Sequence, residues 1–65
     1  MTAADVQERT ERERIEEWRR EELERAGYPL DAATEVAIRH DIDLHAAVEL
    51  VERGCPPEVA TRILL

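Results

Sequence analysis

Two helix-stop signals of the form Gly-x-Pro constrain the fold of this chain more than any other feature. The first runs from Gly27 to Pro29 and the second from Gly54 to Pro56, 27 positions later. Glycine readily takes the left-handed backbone that ends many helices, and proline cannot continue a helix. Because the chain has no other glycine, the stops predict an all-α fold built from two helical hairpins.

The similarity between the two regions extends beyond the stops themselves. A shift of 27 residues also aligns Glu22-Leu23 with Glu49-Leu50 and Ala33-Thr34 with Ala60-Thr61. The shared unit is an αα-hairpin used twice, whose two copies would cover each other's apolar sides. A true duplication and a chance similarity between two helix ends both remain open. Either interpretation predicts two similar turns.

The first segment is dominated by Glu and Arg and contains no Gly or Pro between Asp5 and Ala26. Good helix formers with opposite charges at helical spacing favour one long helix. Its apolar residues concentrate in the second half, which divides the chain into a charged helical arm, residues 1–14, and a small bundle, residues 15–65. We interpret the arm as solvated, with docking to a partner or a coiled coil as alternatives.

Three shorter amphipathic segments follow the first turn. A second helix is predicted over residues 30–39, and a third begins after Asp43, a good N-cap, and stops at Gly54. Pro57 then falls in the first turn of a short fourth helix, where proline is tolerated. The third helix has the clearest pattern, with apolar residues at i, i+3, i+4 and i+7: Leu44, Ala47, Val48 and Val51.

Trp18, the only tryptophan, has two interpretations. The favoured one is a core anchor that packs the first helix onto the second and third. The alternative is an exposed binding hot spot, since tryptophan is enriched at such sites.

The middle of the chain resembles the UBA-type three-helix domains over residues 15–53. That family carries a Met-Gly-Phe/Tyr loop after its first helix, and Ala26-Gly27-Tyr28 stands at this place, with alanine for methionine. The other matching positions are Ala33, Val36-Ala37, Asp43-Leu44 and Ala47-Val48-Glu49-Leu50-Val51.

The resemblance implies a three-helix bundle with a role in protein recognition. In that family the loop and the end of the third helix form the binding surface, which here corresponds to residues 26–28 and 50–51. The tryptophan and the apolar side of the last helix complete the candidate set. The candidate protein-binding residues are Trp18, Ala26, Gly27, Tyr28, Leu50, Val51, Ile63 and Leu64.

Charge and motif content exclude several classes of function. The formal net charge is −7, which argues against binding to nucleic acid or to an anionic membrane surface. Cys55 has no recognisable catalytic base, and His40 and His45 lack the i, i+4 spacing of a helical metal site. We therefore expect no enzymatic activity, no cofactor and no metal. No apolar run reaches the roughly 20 residues that span a bilayer, which predicts a cytoplasmic protein.

A second resemblance concerns residues 43–60, which are similar to small proteins of unassigned role encoded by actinobacterial phages and prophages. All nine basic residues are arginine, and a chain rich in Ala, Glu and Arg without lysine is typical of a GC-rich genome. The leading hypothesis is a non-catalytic protein–protein interaction module with a partner of unknown identity, and self-association is a further option. The alternatives are a virion structural or assembly component, which would be virion-associated and not cytoplasmic, and an acidic regulator of a nucleic-acid-binding protein.

Overall fold

The computed structural model of the chain describes residues 10–65. Within this range the backbone is helical and contains no strand, which confirms the all-α fold and the bundle of short helices after a longer charged one. The four helices are α1 (Glu11–Ala26), α2 (Leu30–Ile38), α3 (Leu44–Glu52) and α4 (Pro57–Leu64).

The start of α1 differs from the sequence-based expectation. Thr10 has an extended backbone and acts as the N-cap, because its hydroxyl oxygen accepts a hydrogen bond from the Glu13 amide at 3.3 Å. Glu11 and Glu13 then place negative charge in the first turn, where the helix dipole favours it. An uninterrupted helix through Thr10 is therefore wrong, and the part of that prediction on residues 1–9 lies outside the described residues.

The two Gly-x-Pro turns have the same backbone geometry. Gly27 and Gly54 both have positive φ, 126° and 102°. In each turn the residue after the glycine donates to the carbonyl five positions earlier, at 3.0 Å in the first turn and 3.1 Å in the second. Each glycine also donates to the carbonyl three positions earlier, at 3.0 Å in both. This is the Schellman pattern of helix ends, and the prediction of two similar turns is confirmed.

The equivalence continues into the helix that follows each turn. Pro29 and Pro56 occupy the N-cap position with an extended backbone. Their carbonyls accept from the amides of Ala33 and Ala60 at 2.8 and 2.9 Å. The next residue is threonine in both cases, and its hydroxyl donates to the carbonyl four positions earlier at 2.8 and 2.7 Å.

The hydrophobic core lies where α1 packs on α2 and α3, and α4 adds to it through contacts with α3 and α2. Alanine supplies half of the buried apolar residues, and small side chains of this kind let helices approach closely. Leu23 and Val36 are the largest fully buried side chains. Within residues 10–65 the buried apolar residues are Leu23, Tyr28, Ala33, Val36, Ala37, Ile42, Ala47 and Ala60.

Arg19 is a buried cation that the sequence did not single out. Its guanidinium donates to four backbone carbonyls at the end of α2 and in the turn after it. They are those of Val36 (3.3 Å), Ala37 (3.0 Å), Arg39 (3.1 Å) and Ile42 (2.9 Å). The last carbonyls of a helix have no intrahelical donor, and a cation there is also favoured by the dipole. Arg19 therefore joins α1 to the end of α2 and to the turn after it.

Candidate interaction surface

Tyr28, at the centre of the surface that the UBA resemblance implies, belongs to the core. Only 3% of its surface is exposed, and its hydroxyl donates to the carbonyl of Ala47 at 2.7 Å. Burial raises the pKa of the Tyr28 hydroxyl, and the neighbouring Cys55 adds to the effect. The side chain thus ties the first turn to α3, and it is not available to a partner in this conformation.

The Gly27 turn is partly covered by the second hairpin. A methyl group at Gly27 would lie 3.6 Å from Cγ1 of Val51 and 3.9 Å from Cγ of Pro57, the first residue of α4. Ala26, Leu50 and Val51 are half-buried and pack against the core. Most of the implied surface is therefore used for contacts within the chain.

The last helix presents an apolar strip of its own. Ile63 is among the most exposed large apolar side chains, and Val59 is exposed one turn earlier. Leu64 is half-buried and packs against the core. Of the two candidate residues in α4, one faces solvent and the other supports the bundle.

Trp18 is the candidate residue whose position differs most from the favoured interpretation. It is 54% exposed, so the prediction of a core anchor is wrong. Arg19 and Leu23 take the buried side of α1, and successive helical residues are turned by about 100°. Trp18 therefore lies on a flank of α1, and it is the flank toward α3, because Trp18 lines a pocket together with Leu44 and Val48.

Between these two helices lies an open groove of about 460 Å³, which we call the α1–α3 groove. Its residues are Trp18, Glu22, Asp43, Leu44, His45 and Val48. The tryptophan and glutamate are one turn apart on α1, and the leucine and valine are one turn apart on α3. Each wall thus has apolar surface and one acidic side chain, Glu22 on α1 and Asp43 at the start of α3.

Two carboxylates give the α1–α3 groove its charge. Asp43 is the N-cap of α3, as predicted, and its Oδ1 accepts from the His45 amide at 3.2 Å. Glu22 forms an ion pair with Arg25 at 2.6 Å, and the arginine side chain is largely exposed. Pairs of this kind contribute about 1 kcal/mol or less, so Glu22 can exchange its partner at little cost.

The spacing of the groove walls is set by the residues next to the groove. Arg19 directly follows Trp18 on α1, and Ile42 directly precedes Asp43. The hydrogen bond from Arg19 to the Ile42 carbonyl, 2.9 Å long, joins the two walls. The sequence signalled the groove only through the exposed alternative for Trp18 and the apolar stripe of α3.

The other histidine lies on the opposite flank of α1. The His40 ring nitrogen Nε2 is 2.6 Å from a carboxylate oxygen of Glu16. Nearby, an open depression between α1 and α2 is lined mainly by charged and polar groups. Within residues 10–65, no group of three or more His, Cys, Asp or Glu side chains is arranged to hold a metal ion.

Comparisons with protein-family models, curated proteins and solved structures find no match for this chain. The resemblances to UBA-type domains and to small phage proteins therefore stay predictions. None of the four helices has both the length and the apolar character needed to cross a membrane, as far as the described residues extend.

Proposed function

We propose that this protein is a non-catalytic protein–protein interaction module that binds its partner in the α1–α3 groove. The observation that carries the proposal is the exposure of Trp18 beside Leu44 and Val48, which are half-buried. Contact between water and a large aromatic ring is unfavourable, so a partner that removes this ring from water gains a favourable contribution to binding. Buried tryptophan is also one of the commonest interface anchors.

Three other residues of the candidate set support this site. Tyr28 holds the first turn against α3 through Ala47, and the half-buried Leu50 and Val51 keep α3 on the core. In this proposal they fix the position of the groove without contacting the partner. Binding in a groove between packed helices follows the helix-in-groove mode of recognition.

The test uses a photo-reactive benzoylphenylalanine in place of Trp18, with Ile63 replaced in the same way as a matched control. Both positions are exposed and apolar, but only the first lies in the groove. Irradiation of cells of the source organism, followed by mass spectrometry, should give a discrete heterologous protein from position 18. Unlabelled wild-type protein should compete for that cross-link, and the Trp18→Ala variant should not.

The same variants need a stability measurement. Trp18→Ala should shift the free energy of unfolding by about 1 kcal/mol or less, because the ring is half exposed. Equal cross-linking from positions 18 and 63, or full competition by Trp18→Ala, would contradict the proposal. The identity of the captured protein separates the alternatives, since a capsid or tail protein indicates a virion component and a nucleic-acid-binding protein indicates an acidic regulator.

A further inference from the structure

The α1–α3 groove combines an aromatic ring with acidic groups on both walls. Glu22 comes from α1 and Asp43 from the start of α3, with Trp18 beside them. The Asp43 carboxylate has acceptor capacity beyond its single bond to the His45 amide. A tryptophan ring next to carboxylates also favours a cation above its face. The groove is therefore complementary to a segment that carries both an apolar anchor and a positive charge.

From this complementarity, and resting on the function proposed above, we infer that the groove takes a basic amphipathic helix of a partner protein. An apolar side chain of that helix packs on Trp18, Leu44 and Val48. An arginine or lysine one turn away lies between Glu22 and Asp43, and replaces Arg25 as the partner of Glu22. The pair that it displaces is exposed and of low cost.

The charge of the chain decides against a second copy as the occupant. Each copy carries a formal net charge of −7, so two copies repel one another as they approach. A basic partner gains from the same charge, both in the rate of encounter and in the choice of partner. Self-association through the groove is therefore an outcome that would contradict the inference.

The probes are synthetic helical peptides of about 18 residues, long enough to form a helix on binding. The first is an amphipathic peptide of leucine and lysine. The second has glutamate in place of lysine, and the third has serine in place of leucine. Binding to the full chain is measured by calorimetry and by the emission of Trp18, the only tryptophan. The first peptide should bind with a blue shift of the emission, and the other two should bind at least about tenfold more weakly.

Two groups of variants identify the contacts. Trp18→Ala should weaken binding of the leucine/lysine peptide, and the double variant Glu22→Gln with Asp43→Asn should weaken it by about tenfold. Asparagine keeps the N-cap of α3, so the fold is retained. Glu58→Gln removes an exposed carboxylate in the first turn of α4, outside the groove, and should leave affinity unchanged. Circular dichroism confirms that each variant is folded.

The possible outcomes distinguish a failure of the basic-helix inference from a failure of the proposed function. Binding that depends on Trp18 but is equal for both leucine peptides, or that is unaffected by the Glu22/Asp43 double variant, overturns the basic partner and leaves the groove as the binding site. Peptide binding that persists in Trp18→Ala overturns both. A dimer that sediments without peptide and dissociates in Trp18→Ala replaces the basic partner with a second copy. Affinity that falls as salt rises from about 0.05 to 0.5 M supports the inference.

Discussion

In the first hairpin Val36 is fully buried, whereas Ile63, its equivalent 27 residues later in the second hairpin, is 62% exposed. Leu23 and Leu50 differ in the same direction, since the first has no exposed surface and the second is half-buried. Yet the turns within the two hairpins share their glycine conformation and their hydrogen bonds. The geometry of a turn is thus set locally, whereas burial depends on what packs against the helices.

What packs against the helices differs between the hairpins. The first supplies most of the buried apolar residues, and its α2 contacts both α1 and α4 and receives the Arg19 guanidinium at its end. Ile42, in the turn after α2, is also buried in the core. The second hairpin ends in α4, whose Val59 and Ile63 remain exposed. By the number of its buried residues the first hairpin is the interior copy and the second the edge copy, although Leu30 and Ile38 of α2 are exposed as well.

Replacement of the equivalent leucines by alanine measures this difference most directly. We expect Leu23→Ala to lower the free energy of unfolding by about 3 to 4 kcal/mol, because it leaves a cavity in the centre of the core. Leu50→Ala should cost about 1 to 2 kcal/mol, since its side chain is already in part exposed. Urea unfolding followed by circular dichroism at 222 nm measures both, and equal losses would contradict the distinction between interior and edge.

The buried cation of the first hairpin gives the next largest effect. Arg19→Ala leaves four carbonyls, at the end of α2 and in the turn after it, without their charged donor, and we expect a loss of about 3 kcal/mol. The control is Arg20→Ala, which removes only the partly exposed pair with Glu24 and should cost about 0.5 kcal/mol or less. Similar urea midpoints for the two variants would show that Arg19 does not hold α1 to α2.

The helices and both turns could be predicted from the sequence because their signals are local. Each of these signals involves residues that are only a few positions apart in the sequence. They are the Gly-x-Pro stops, the Asp43 cap and the apolar stripe of α3. The start of α1 also has a local signal, because Thr10 followed by Glu13 three positions later fits the capping-box pattern, but the oppositely charged pairs on both sides of it favoured a longer helix. A single hydroxyl bond to the Glu13 amide fixes that start.

The candidate site could be predicted only in part because it depends on contacts between distant residues. Arg19 lies one turn before Leu23 on the same face of α1, but nothing local indicates its hydrogen-bond partners, which lie 17 to 23 positions away. With Arg19 and Leu23 on the inner side of α1, Trp18 is turned toward the groove. Tyr28 matches a family's binding loop in sequence, but its hydroxyl is used by the α3 backbone. The choice between core and surface for these residues is made by tertiary packing.

Replacement of the two glycines by alanine tests whether the two turns, which share their geometry, are also energetically equivalent. An alanine at positive φ is strained by about 1 to 2 kcal/mol, so Gly27→Ala and Gly54→Ala should destabilise the protein by similar amounts. The added methyl would make ordinary contacts at Gly27 and meets nothing within 4 Å at Gly54, so sterics should not separate them. Thermal unfolding of the two variants measures the difference. A loss at only one site would show that the turns are not energetically equivalent.

The smallest expected effect concerns Tyr28, which follows Gly27. The equivalent residue in the second turn is Cys55, which follows Gly54. Tyr28→Phe removes the bond to the Ala47 carbonyl and should cost about 1 kcal/mol at neutral pH. Since burial raises the pKa of Tyr28 above its ordinary value, the folded state favours the protonated phenol. Its contribution to stability is therefore complete below pH about 10 and is lost as the pH rises through the folded pKa.

The pH dependence can be assigned because the chain has one tyrosine and one cysteine. Absorbance at the tyrosinate band gives the pKa directly, and urea unfolding at rising pH gives its effect on stability. In a Cys55→Ser background most of the elevation should persist, since burial is the larger of its two causes. The alkaline loss of stability should disappear in Tyr28→Phe. If the phenol titrates at its ordinary pKa while the protein is still folded, the first turn is open to water and is no more interior than the second.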